Sequence, residues 1–283
     1  MDILKNKTHK HMKRNPLLFA FCLLIFTLQS CAPAETSEVP ATTETEAEGQ
    51  QYFQIKTYSF ADETQEATTD AFLENAFLPA LKRQGISPVG VFKLRPEAVD
   101  SLQQTFVLIP FDSMEEFAAL EAKLDQDERF LSDGADYLNA SHDEPPYLRM
   151  ESTLLLAFED MPALSASGVE GPHSERIYEL RSYESATEAY HKNKVDMFNA
   201  GGEVVLFDKL GFNAVFYGSV ISGSKMPNLM YMTTFSNQAS RDEHWKSFVD
   251  APEWKEMSSL DKYQNNVSHI DIYFLYPTEY SDY

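Results

Sequence analysis

The sequence predicts an α+β protein: two tandem copies of one split βαβ unit whose sheets face each other as an internal α/β barrel. Three observations predict it. The first is an internal repeat at an offset of about 125 residues. QIKTYSF (54–60) overlays ELRSYES (179–185), with Tyr58 on Tyr183. The stretch 80–93 overlays 206–219, with Gly85 on Gly211, and TFVLIPF (105–111) overlays LMYMTTF (229–235). The second is that each copy reads strand, helix, strand, strand, helix, strand, which is the order of a ferredoxin-like domain. Such a domain covers one sheet face with helices and leaves the other bare, and two bare faces hide each other. The third is composition: 283 residues, 43% of them hydrophobic and 13% aromatic, supply enough apolar surface for one large or two medium domains.

In chain order, residues 1–30 read as a secretory signal. Lys5, Lys7, Lys10, Lys13 and Arg14 precede the uncharged run 17–28, which is too short for a membrane span of roughly 20 residues. The run ends in Leu28, Gln29, Ser30 and Cys31, which resembles the lipobox of bacterial lipoproteins and implies a diacylglycerol on the Cys31 sulfur after cleavage. Residues 31–50, rich in glutamate, threonine and alanine and free of aromatics, read as an acidic flexible tether. The first copy is expected over 51–160, a linker over 161–173 and the second copy over 174–283.

Within the first copy a helix is expected over about 69–83, with Phe72, Ala76, Phe77 and Leu81 at helical spacing and Gly85 as its stop. Ser113 with Glu116 predicts a capping box at the start of the later helix. In the second copy Gly201 and Gly202 divide the matching helix into two pieces, and the later helix begins near Gln238. Strands near 152–158 and 269–275 close the two copies.

Lys plus Arg total 23 against 44 Asp plus Glu, a formal charge of −21, which argues against a nucleic-acid partner held by phosphate neutralisation. Two cysteines, one inside the signal, leave no disulfide framework. No P-loop, G-x-S-x-G or G-x-G-x-x-G motif is present, so phosphate-loop, hydrolase and dinucleotide chemistries have no anchor. No histidine spacing supplies three convergent ligands, and neither a metal nor a cofactor is expected.

The candidate site comes from alternation. Glu179, Arg181 and Tyr183 share one face of their strand, His269, Asp271 and Tyr273 one face of the last strand, and Gln54, Lys56 and Tyr58 the corresponding face in the first copy. All nine are expected in the barrel interior. A carboxylate, a guanidinium, an imidazole and phenols there would either form a paired network joining the half-barrels or bind a polar ligand and move protons. Arg241, Trp245 and Trp254 read as structural, with Trp245 and Phe248 on a core-facing stripe.

YELRSY (178–183), the 211–218 strand, PNLMYMTTF (227–235), the Arg241-x-x-x-Trp245 pair and PEW (252–254) resemble the NIPSNAP family. The first copy keeps the strand pattern, with Phe117 and Phe130 near the two tryptophan positions. The resemblance implies the dimeric α/β-barrel fold and little about activity; cofactor-free monooxygenases and haem enzymes share that fold by analogy alone. The expectation is an envelope lipoprotein, anchored to the outer membrane by its lipid, whose barrel binds a small molecule or an envelope protein. The alternative is a cofactor-free, monooxygenase-like envelope enzyme with a polar barrel-interior site and proton transfer near His269 or Tyr183.

Overall fold

The computed structural model describes residues 49–96 and 103–283. The segment expected to be a signal, 1–30, together with Cys31 and nearly all of the expected tether, lies outside the described residues. The first half contains β1 (Tyr52–Ser59), α1 (Glu63–Phe72), a π-helical turn (Leu73–Phe77), α2 (Leu78–Arg83), β2 (Gly90–Leu94), β3 (Gln104–Phe111), α3 (Met114–Leu124), α4 (Glu128–Asp133), α5 (Ala135–Leu138) and β4 (Arg149–Ala157). The second contains β5 (Ile177–Glu184), α6 (Glu188–Phe198), α7 (Glu203–Lys209), β6 (Ala214–Ser222), β7 (Asn228–Phe235), α8 (Gln238–Asp250), α9 (Pro252–Ser259) and β8 (His269–Pro277).

The eight strands close into one barrel in the order β1-β3-β2-β8-β5-β7-β6-β4, every neighbouring pair antiparallel. Each half supplies four consecutive strands, β4-β1-β3-β2 and β8-β5-β7-β6, the order of a ferredoxin-like sheet. Two seams join them: Phe92 to Leu94 of β2 pair with Leu275 to Pro277 of β8, and Leu155 of β4 pairs with Val220 of β6. Closure removes four sheet edges that would otherwise present unpaired backbone groups.

The caps explain where the helices begin. Asp62 accepts hydrogen bonds from the amides of Thr64 and Gln65, so the first helix starts at Glu63, before the apolar periodicity that marks its buried face. Ser113 accepts from the Glu116 amide, while the Glu116 carboxylate reaches back to the Asp112 amide, one residue beyond an ordinary capping box. Gly202, at φ +88, sits in the left-handed region and separates α6 from α7 as expected.

Three apolar layers follow from strand alternation. Phe53, Ile55, Phe92, Phe106, Leu108, Leu155, Tyr178, Leu180, Met232 and Leu275 fill the barrel interior. Rings meet across it from opposite halves: Phe53 and Phe216 at 5.5 Å, Phe92 and Tyr178 at 5.0 Å. Outside the barrel, one aromatic-rich cluster lies between the first half's sheet and its helices, and another occupies the equivalent place in the second half. No helix among the described residues is long and apolar enough to cross a membrane.

Candidate functional site

The nine polar candidates do not meet in the barrel interior. Tyr178 and Leu180 of β5 point inward with Leu275 and Tyr273 of β8, so Glu179, Arg181 and Tyr183 point outward, beneath the helices. On β1, Phe53 and Ile55 take the interior, and Gln54, Lys56 and Tyr58 likewise lie beneath helices. His269, Asp271 and Tyr273 have the opposite sense and belong to the barrel-facing side, toward one end. The single expected cluster is therefore three groups. The physical reason is partnership: the middle of the interior is filled by apolar inward residues and its polar groups are confined toward one end, whereas the helices bring charged and hydrogen-bonding groups to the outer face.

In the second half every charge on that face is paired. Glu179, with no exposed surface, accepts from Arg181 Nε at 2.7 Å, from Arg241 Nε at 2.8 Å and from the Trp245 indole at 2.9 Å. Arg181 lies over the Trp245 ring at 3.8 Å and donates to the Tyr183 hydroxyl at 3.0 Å, which meets the Tyr231 hydroxyl at 2.9 Å. Burial alone would raise the Glu179 carboxyl; the Arg241 hydrogen bonds and the two guanidinium charges overcome it and hold the group below the usual carboxylate range. Every charge has a partner, and the indole fills the remaining space.

In the first half the same face lines a cavity of about 460 Å³. Gln54 donates to Ser152 Oγ at 2.8 Å. The half-buried Lys56 ammonium lies 4.9 Å from the Phe77 ring centre and, among the described residues, has no hydrogen bond or ion pair. Its pKa is lowered by desolvation, opposed in part by the charge of Glu121. Burial pushes the Tyr58 hydroxyl up to about 12, with the Tyr137 hydroxyl as its hydrogen-bond partner. Phe72, which precedes the π-helical turn and stacks on Tyr137 at 3.8 Å, and Phe77, which ends that turn, form much of the apolar wall.

The caps explain why the equivalent position is filled in the second half and open in the first. Helices α3 and α8 are capped by Ser113 and Asn237. Counted from those caps, Phe117 stands where the second half has Arg241, and Glu121 stands where it has Trp245. Phe117 is thus the counterpart of the arginine rather than of the indole. Glu121 is exposed, so nothing occupies the volume that the indole fills. Glu121 was not singled out by the sequence reading; comparing the two copies from their caps is the signal that finds it.

At the end of the barrel, Tyr273 lines a recess of about 180 Å³ with Thr57, Ser182, Lys225 and Asn228. Asp271 pairs with Lys225 and lies 3.2 Å from the exposed His269. Ligand atoms of Glu184, His269 and Asp271 fall within 4.8 Å of one another, a convergence that strand pairing creates and histidine spacing did not reveal. The Lys225 ammonium already neutralises the Asp271 carboxylate, which weakens this group as a cation site.

A candidate monooxygenase from Fusobacterium nucleatum aligns with TM-score 0.54 at 7% identity, covering 81% of this chain and 93% of its own. Another from Lactobacillus acidophilus aligns with TM-score 0.53 at 11% identity over 81% and 94%. A NIPSNAP-like domain protein from Burkholderia xenovorans aligns at 16% identity over 38% of this chain and 90% of its own, with TM-score 0.35. No curated protein has a matching sequence. The first two likenesses establish the fold. The NIPSNAP family model matches residues 178–282, the stretch from the start of β5 through β8 that holds the Glu179 network, and it is to that family that the second half of this chain is similar in sequence.

Proposed function

We propose that this protein binds a small, largely apolar molecule in the cavity between the sheet and helices of its first half, and that a lipid on Cys31 holds it at the bacterial envelope. The observation that carries the binding reading is the difference between two copies of one unit. The second half closes its outer sheet face with Trp245 and pairs every charge on it; the first half leaves an aromatic-walled cavity with a lysine ammonium that, among the described residues, has no ion pair. Apolar walls with a few polar groups at fixed places are what a small-molecule site requires. The anchor is supported by the basic segment, short apolar run and lipobox-like end of the first 31 residues.

Native mass spectrometry of the gently purified protein tests the binding reading. A co-purifying small molecule is expected on the wild type and absent from Glu121→Trp, which would place an indole where the second half has one. Wild type and variant carrying the same load, or neither carrying any, would contradict it. For the anchor, Cys31→Ser is expected to abolish metabolic incorporation of radiolabelled palmitate; undiminished incorporation would contradict the lipid assignment.

A further inference from the structure

We propose that Lys56 captures a neutral, largely apolar aldehyde or ketone in the first-half cavity as a Schiff base. This inference rests on the reading that the cavity holds a small molecule, and it names the chemical class. Three observations carry it. The amine stands on β1, at the wall of a cavity of about 460 Å³ whose other walls include Phe72, Phe77, Leu120 and Phe130. Among the described residues it has no ion pair or hydrogen bond, Glu121 acting on it only from a distance, whereas its counterpart Arg181 is bound to Glu179 and Tyr183. Tyr58 lies two residues further along the same strand face; in the second half that spacing sets Arg181 Nη1 3.0 Å from the Tyr183 hydroxyl.

Electrostatics decides between an anion and a neutral carbonyl. A carboxylate ligand would pair with the ammonium, but Glu121 and Asp125 also line the cavity and the chain carries a formal charge of −21. That field repels an anion and is indifferent to an uncharged ligand. The apolar walls favour the neutral form of ligand and lysine alike, and a desolvated lysine is the kind of amine that attacks carbonyls. Burial and the Glu121 charge act on Lys56 in opposite senses, and burial prevails.

The step balances without a further reagent. The Nζ lone pair forms a bond to the carbonyl carbon as the carbon–oxygen π pair moves to oxygen, and proton transfer from nitrogen to that oxygen gives a carbinolamine. A second proton, handed over by a neighbouring acid, reaches the hydroxyl, the carbon–oxygen bond breaks and water leaves as the nitrogen pair forms an iminium, and the iminium N–H proton then returns to that acid to give the imine; in net terms the amine loses two hydrogens, carried off with the carbonyl oxygen as water. The Tyr58 hydroxyl, held protonated by burial, is the group on this face suited to hand a proton to the departing oxygen, with Tyr137 as its own partner.

Reductive trapping tests this. The intact protein is incubated with benzaldehyde and sodium cyanoborohydride, and lysine modification is followed by peptide mass mapping. The expected result is N-benzylation at Lys56 severalfold faster than at an exposed lysine such as Lys246, because burial leaves the Lys56 amine more often unprotonated while Lys246 is held as an ammonium by Asp250. Lys56→Arg should abolish the fast phase. Labelling at Lys56 no faster than at Lys246 would overturn the inference. A parallel titration with Nile red, competed by benzaldehyde, separates the two levels: dye binding without fast labelling removes the carbonyl inference and keeps the cavity reading, whereas absence of dye binding and of fast labelling removes both.

Discussion

Glu179 and Lys56 occupy outer sheet faces of the two halves, and opposite consequences are expected from removing their charges. Glu179 is buried among Arg181, Arg241 and Trp245, so Glu179→Gln leaves two guanidinium groups short of their counter-charge. A loss of about 3–5 kcal/mol is expected, read as a fall in melting temperature of about 10 °C. The pH dependence has a definite sign. A carboxyl whose folded pKa is lowered contributes stability above its unfolded pKa and loses it as pH falls through the folded value, so the gap between wild type and Glu179→Gln should close in acid. A gap that stayed constant down to acid unfolding would contradict the pairing. Lys56 has a lowered pKa, so its protonated form opposes folding, most fully below the folded value and progressively less as pH rises toward the unfolded one. Lys56→Met should therefore stabilise the protein at neutral pH by about 1 kcal/mol, and the advantage should shrink in alkali. A lower melting temperature for Lys56→Met would show that the lysine has a partner it needs.

The break between α6 and α7 carries a prediction that helix propensity alone would get wrong. A Cβ at Gly201 would stand 2.5 Å from the Met197 carbonyl oxygen and 2.8 Å from the Tyr263 hydroxyl, too close for either to remain in place. Gly201→Ala is expected to cost about 1–3 kcal/mol, checked by denaturant titration, where propensity would predict a gain. That break, the order of strands and helices and the start of α8 were all legible in the sequence, because glycine placement, capping residues and hydrophobic period are local signals. Which strand face looks inward was not. Alternation separates Tyr178 and Leu180 from Glu179 and Arg181, but both sets are buried, and only the helices packed outside decide which set finds partners. Gln54, Lys56 and Tyr58 were thus recognisable as a matched set while their cavity was not. Glu121 escaped notice because overlaying the copies near their tryptophans, rather than from their caps, places Phe117 opposite an indole.

At the scale of the whole molecule, the two sheets depend on each other. Separating the chain near residue 165 would break the β2–β8 and β4–β6 seams and expose Phe53, Phe92, Phe216 and Leu275. Each isolated half should self-associate or aggregate in size-exclusion chromatography; two soluble, monomeric halves as stable as the whole would contradict the shared interior. The barrel thereby supplies a rigid frame on which two related outer faces have diverged, one filled by Trp245 and paired charges, one left open around Lys56. The most direct test of that divergence is an equilibrium titration of the wild type and Glu121→Trp with Nile red, side by side. Saturable binding of one dye to the wild type, weakened about tenfold or more in Glu121→Trp without loss of thermal stability, is the predicted result; equal binding by the two proteins, or none by either, would contradict it.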